Sequence, residues 1–163
     1  MPAVRMKRAI RVGVLGFAGI AMFVAIAGPW ATYQLGLHAA GGKPEKPVTV
    51  ASSEQQSAAW QRMRGHGTPV VQKLNPYSYL YLAIIAEPGA QRPDLLLAWH
   101  VASGHLLEHR RYRGTLWWHI AGASLTIWLT RNWSTEQLLT KVAEEESETR
   151  PNPSSWRTDS GRR

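Results

Sequence analysis

The chain contains no cysteine. Disulfides and thiol chemistry are therefore excluded, while the redox compartment stays open. Acidic residues are scarce as well: 11 Asp and Glu stand against 19 Lys and Arg, for a formal net charge of +8. Such a surplus favours anionic partners, meaning phospholipid headgroups, pyrophosphate-bearing substrates or nucleic acid. No serine-centred hydrolase motif and no phosphate-binding glycine loop occurs. Convincing strand alternation and internal repeats are absent too, and 163 residues leave room for one domain.

Charge is also missing from the stretch Val12 to Trp30, and there its absence is informative. Arg5, Lys7, Arg8 and Arg11 precede this mainly apolar run, which approaches the roughly 20 residues a helix needs to cross a hydrocarbon core. Trp30 and Tyr33 stand at its far end, where amphipathic rings favour the membrane interface. No further positive charge follows until Lys43, an asymmetry that places the N-terminus in the cytoplasm. Ala25-Ile26-Ala27 has the small-x-small pattern of a signal-peptide cleavage site. The run is longer than a usual signal core and Pro29 follows closely, so an uncleaved anchor is the preferred reading. Either reading exports the remainder and removes nucleic acid from the partners, leaving membrane lipid and other envelope components.

The expected organisation is all-α: one transmembrane helix followed by a small domain of about five helices. Residues 1–33 form the basic tip and anchor, 34–51 a Gly/Pro-containing linker, 52–145 the helical domain and 146–163 a disordered tail. Ser53, with Gln56 in capping-box spacing, opens a helix to Arg64 that stops at Gly65. Asn75-Pro76 caps a second, Tyr77 to Glu87, apolar on most sides and ended by Pro88-Gly89. Pro93-Asp94 opens a third, Leu95 to Leu107. Thr115 to Arg131 forms the longest pattern, and Ser134 with Gln137 caps a last helix to Glu145. In the Thr115–Arg131 helix, Thr115, His119, Gly122 and Thr126 share one face while apolar residues cover most of the remainder. That pattern suits a core helix with a narrow polar seam, or one dipping into the membrane interface.

Two sequence features carry candidate chemistry. His105-Leu106-Leu107-Glu108-His109 spells H-x-x-E-H, whose two histidines share a helix face and suit a zinc ion, with Glu as base. Arg110, Arg111 and Arg113 crowd the same turn and disfavour a cation, so the motif is read as surface histidines and no metal is assigned. The basic turn itself, His109 to Arg113, suits phosphates or anionic headgroups. Trp99, Trp117, Trp118 and Trp128 fall within helices and read as packing residues.

A resemblance emerges in the last two helices. Gly114-Thr115-Leu116-Trp117-Trp118-His119-Ile120-Ala121-Gly122-Ala123, followed by Leu125, Leu129, Arg131, Ser134, Glu136, Leu138 and Leu139, resembles the later part of the peptidoglycan glycosyltransferase (transglycosylase) domain. That domain is found in penicillin-binding proteins and monofunctional transglycosylases. Upstream, His100-Val101-Ala102-Ser103 with Leu106-Leu107 is similar to the family's Q-Q-L-A-R-N-L-L helix. Tyr81-Leu82-Ala83-Ile84-Ile85-Ala86-Glu87 is similar to the approach to its catalytic E-D pair. The likeness runs from Leu80 to Lys141 and follows helix spacing and apolar positions more than reactive groups. Pro88 replaces the Asp of the pair, Trp118, His119 and Gly122 stand where the family has Arg, Lys and Glu, and the donor-site loop is shortened.

The resemblance implies a shortened, divergent envelope protein linked to lipid II polymerisation at the bacterial inner membrane, and one that has lost much of the family's catalytic set. Glu87 would be the general base, with Arg110, Arg111, Arg113 and His119 on the pyrophosphate; it names no cofactor. The other expectation is a non-enzymatic anchored module that docks another envelope protein through its aromatic helix, with Glu87 an ordinary helix-end carboxylate.

Overall fold

The computed structural model describes residues 2–85, 92–109 and 114–149. Six helices run α1 Pro2–Ala39, α2 Ser53–Arg62, α3 Pro76–Ile85, α4 Pro93–His109, α5 Thr115–Asn132 and α6 Thr135–Thr149, with no strand among the described residues. The all-α expectation, with one long apolar helix ahead of five shorter ones, is what the fold shows. Gly13–Ala39 within α1 is long and apolar enough to cross a membrane.

The helix ends follow side-chain chemistry. Asn75 Oδ1 accepts from the Tyr77 and Ser78 amides at 3.0 and 2.8 Å, opening α3. Ser134 and Gln137 form the reciprocal pair expected of a capping box, at 3.2 and 2.9 Å. At α2 the box is shifted by one residue: Ser52 is the cap and Gln55 its partner. The tandem Ser52-Ser53 and Gln55-Gln56 satisfy the motif in either register. In the one adopted, Gln56 Nε2 donates to the Ala51 carbonyl, which ties down the entering strand of chain. Arg92 grips Asp94 through two bonds of 3.0 and 2.9 Å at the first turn of α4, where a carboxylate favours the helix dipole.

The largest departure from expectation is the linker. Residues 34–39 are helical, and the chain leaves α1 only at Gly41 and Gly42, whose φ values of 68° and 148° suit glycine. The reason is tertiary. Tyr33, Gly36 and Ala40 are buried, and Gly36 lies so close to α5 that a Cβ would meet the Ile120 carbonyl oxygen at 2.7 Å. The long apolar helix therefore continues into the folded part as one of its packing elements. At the other end, α6 extends to Thr149, past the expected boundary at 145.

The main core is Leu97, Val101, Ala102 and Leu106 of α4, Leu125 and Leu129 of α5, and Leu138, Leu139 and Val142 of α6, closed by Trp60 from α2. A smaller cluster joins Tyr33, Leu74 and Ile127. Three threonines fasten the loops around α2 and α3: Thr140, Thr135 and Thr130 accept from the amides of Ala51, Val71 and Leu74 at 3.1, 3.2 and 3.2 Å. Loop backbone that would otherwise lose its water is satisfied this way.

The polar face expected along α5 is divided: Thr115 and His119 are exposed, whereas its C-terminal half enters the core. Gly122 is buried against Trp99 and Thr126 is fully buried, its hydroxyl donating to the Gly122 carbonyl at 2.8 Å. A hydroxyl bonded within its own helix can enter a core. Leu116 and Trp117, by contrast, are exposed.

Candidate functional site

Glu87, Arg110, Arg111 and Arg113 lie outside the described residues. His119 is exposed on α5, stacked on Trp99 with centroids 6.3 Å apart and edge-on to Trp118 at 5.1 Å. It reaches the rim of an apolar groove of about 550 Å³ between α1, α3 and α5.

Each wall of the groove has a local cause. On α1, Ala25, Gly28 and Thr32 recur at helical spacing and present little side-chain bulk. Pro29, inside the same helix, removes the amide that would bond the Ala25 carbonyl. One position on, the Ile26 carbonyl accepts from the Tyr77 hydroxyl, which pins the start of α3 beside α1. Tyr79, Leu80 and Ala83 form the α3 wall; Ile120, Ala123 and Ile127 form that of α5. Beyond the groove, α3 exposes Tyr81, Ile84 and Ile85. α1 is likewise bare from Val14 to Ile26, and exposed apolar area on this scale marks a surface for lipid or a partner. Arg131 from α5 sits 5.9 Å from the centroid of the Trp30 ring and marks the polar end of that surface.

A second concavity, about 250 Å³, lies where α4 ends. Lys43, Pro44 and Glu45 from the loop after α1, His105, Glu108 and His109 from α4, and Lys141 and Glu145 from α6 meet there. His105 is buried at 8 % exposure, whereas Glu108 and His109 are exposed. The expectation that both histidines are surface groups is thus correct for one of them only, because the loop at Gly42 covers the other. Burial lowers the His105 pKa from its ordinary value, helped by His109 and Lys141 and opposed by Glu108 and the Gly42 backbone. That backbone faces the ring without hydrogen-bonding geometry, and Nε2 is buried with no hydrogen-bond partner. His109 Nδ1 lies 2.9 Å from the His105 carbonyl oxygen.

Comparison of the chain with protein-family models, with characterised proteins and with solved structures finds no match.

The groove and the buried histidine were both beyond sequence reasoning. The small-residue spacing at Ala25, Gly28 and Thr32 was the available signal for the first. The pairing of Gly42 with His105 has no local signature.

Proposed function

We propose that this chain is a single-pass helical interaction module of the bacterial inner membrane, which docks the transmembrane helix of another envelope protein. The groove between α1, α3 and α5 carries this reading. Inside a bilayer, helices associate through close packing of small residues rather than through hydrophobic transfer, and Ala25, Gly28 and Thr32 offer such a wall. The bare surface of α1 and the exposed apolar residues of α3 are satisfied by lipid around the docked helix. The basic residues Arg5, Lys7, Arg8 and Arg11 favour a cytoplasmic N-terminus and an extracytoplasmic domain. The Trp30–Arg131 pair suits the outer interface.

The test is photo-crosslinking in native membranes from Gly28 and Ala83 in the groove, with Met22 outside the groove as comparison. A discrete protein adduct from both groove positions, absent from Met22 and abolished by a bulky residue at Thr32, supports docking. Adducts to lipid alone refute it.

His119 on the groove rim favours a second reading, linked to the transglycosylase resemblance. The groove would then hold the hydrocarbon chain of a lipid-linked glycan, with its pyrophosphate near His119 and the basic turn Arg110, Arg111 and Arg113. Lipid II polymerisation by the full-length protein, lost in Glu87→Gln, is the result that would support it. Failure of a folded wild-type protein to form glycan chains counts against it.

A further inference from the structure

The geometry points to a divalent transition-metal site made by His105, Glu108 and His109, with Glu45 available as a fourth ligand. One donor atom from each of the three α4 residues lies within 4.8 Å of the other two. Four-coordinate zinc with bonds of about 2.0–2.1 Å holds its donors about 3.4 Å apart. Rotation of the exposed Glu108 side chain narrows that difference without moving the helix, while His109 keeps its contact with the His105 carbonyl.

Two independent features separate this cluster from a chance grouping. The first is His105 itself, more than nine-tenths buried, lining the cavity, with Nε2 shielded and unpartnered. A buried polar nitrogen without a partner costs free energy, and a ligand removes that cost. The second is the contact of His109 Nδ1 with the His105 carbonyl at 2.9 Å. An N–H donated there leaves Nε2 as the lone-pair nitrogen, the arrangement by which backbone carbonyls orient metal-binding imidazoles.

Among the described residues, the surroundings admit a cation. Lys43 and Lys141 line the cavity, but so do Glu45, Glu108 and Glu145. Lys43 is drawn aside, its ammonium 5.0 Å from the centroid of the Trp128 ring. Glu145 reaches His100 Nε2 at 3.4 Å, which leaves Glu45 as the other lining carboxylate that could complete the set. Two imidazoles and carboxylate oxygens suit zinc, nickel or copper rather than magnesium or calcium. Glu45 stands on the loop that follows α1. Its ligation would clasp the end of the anchor helix to α4, which is a structural role and involves no reaction.

The experiment uses the full-length chain in detergent micelles, purified without a polyhistidine tag and stripped with chelator. Zinc alone is titrated by calorimetry, and cobalt by the visible absorption of a tetrahedral centre. One ion per chain is expected. His109→Ala and Glu108→Gln change exposed positions that the core does not need. Each should weaken binding by at least the roughly 10–100-fold that even an outer-shell partner is worth. His66→Ala, at an exposed position in another loop, should bind as wild type does. No saturable binding at micromolar zinc overturns the proposal. So does unchanged affinity in both His109→Ala and Glu108→Gln, since the ion would then sit elsewhere.

Discussion

Replacing Gly36 by alanine drives a methyl group into α5. A Cβ at that position lies 2.1 Å from Ser124 Oγ, 2.8 Å from Ser124 Cβ and 2.7 Å from the Ile120 carbonyl oxygen. Rotating the Ser124 hydroxyl relieves only the first of these, because the other two atoms are fixed by the helix. The helices must therefore separate by roughly 0.6 Å, and a gap of that size forfeits about a quarter to a half of each dispersion contact it opens. Overpacking of this kind costs about 1–3 kcal/mol. Against it stands a gain of up to about 1 kcal/mol for alanine over glycine inside a helix. The net expectation is a loss of about 1–2 kcal/mol. Gly19→Ala isolates the favourable term, since nothing lies within 4 Å of a Cβ there. Circular-dichroism melting of the full-length protein in mild detergent reads the difference. At about 2–4 °C per kcal/mol for a chain of this size, Gly36→Ala should melt a few degrees below wild type, and Gly19→Ala at or above it. A Gly36→Ala protein as stable as Gly19→Ala would refute the close seam between α1 and α5.

Thr130→Val keeps the volume but removes the acceptor for the buried Leu74 amide. It should cost about 1–3 kcal/mol, read by the same melt, with an unchanged midpoint as the contrary result. A chain lacking residues 1–33 loses Tyr33 from its cluster with Leu74 and Ile127, and should require detergent or a partner. A soluble monomer with cooperative unfolding would contradict this. Burial lowers the His100 pKa, although the Glu145 carboxylate lies 3.4 Å away. The folded state then binds this proton less readily than the unfolded chain, whose histidine titrates near 6.5. The contribution is present above about pH 6.5 and is lost as pH falls through the folded pKa. NMR titration should place the His100 midpoint below that of a free imidazole, and a midpoint at or above it would reverse the sign.

Much of the fold was written in local chemistry. Asn75-Pro76, Pro93-Asp94 and the Ser134–Gln137 pair mark helix starts that depend on a few adjacent atoms, and each stands where it was expected. The end of α1 was not legible, for a reason visible at Gly36. In a sequence, a glycine shortly before Gly41-Gly42 and two prolines reads as the start of a linker. In the fold the same glycine is a contact surface, and only the identity of the facing residues on α5 decides between the two. The repeat of Tyr33, Gly36, Leu37 and Ala40 at helical spacing was the missed cue.

The same non-locality governs the candidate sites. H-x-x-E-H looks like two equivalent surface histidines because periodicity assigns both to one face. What separates them is Gly42, placed over His105 by the extra helical turns of α1. Once α1 continues as a packed helix to Ala39, the loop after it must descend beside α4 and α6. That brings Lys43 and Glu45 to the histidines. The groove depends on the same extension, since the α1 helix that carries Ala25, Gly28 and Thr32 is held against α5 by Tyr33 and Gly36. A chain with a flexible linker from residue 34 would have neither feature in a fixed place. Both candidate sites therefore stand or fall with the seam between α1 and α5, so a change confined to Gly36 should disturb groove crosslinking and metal affinity together.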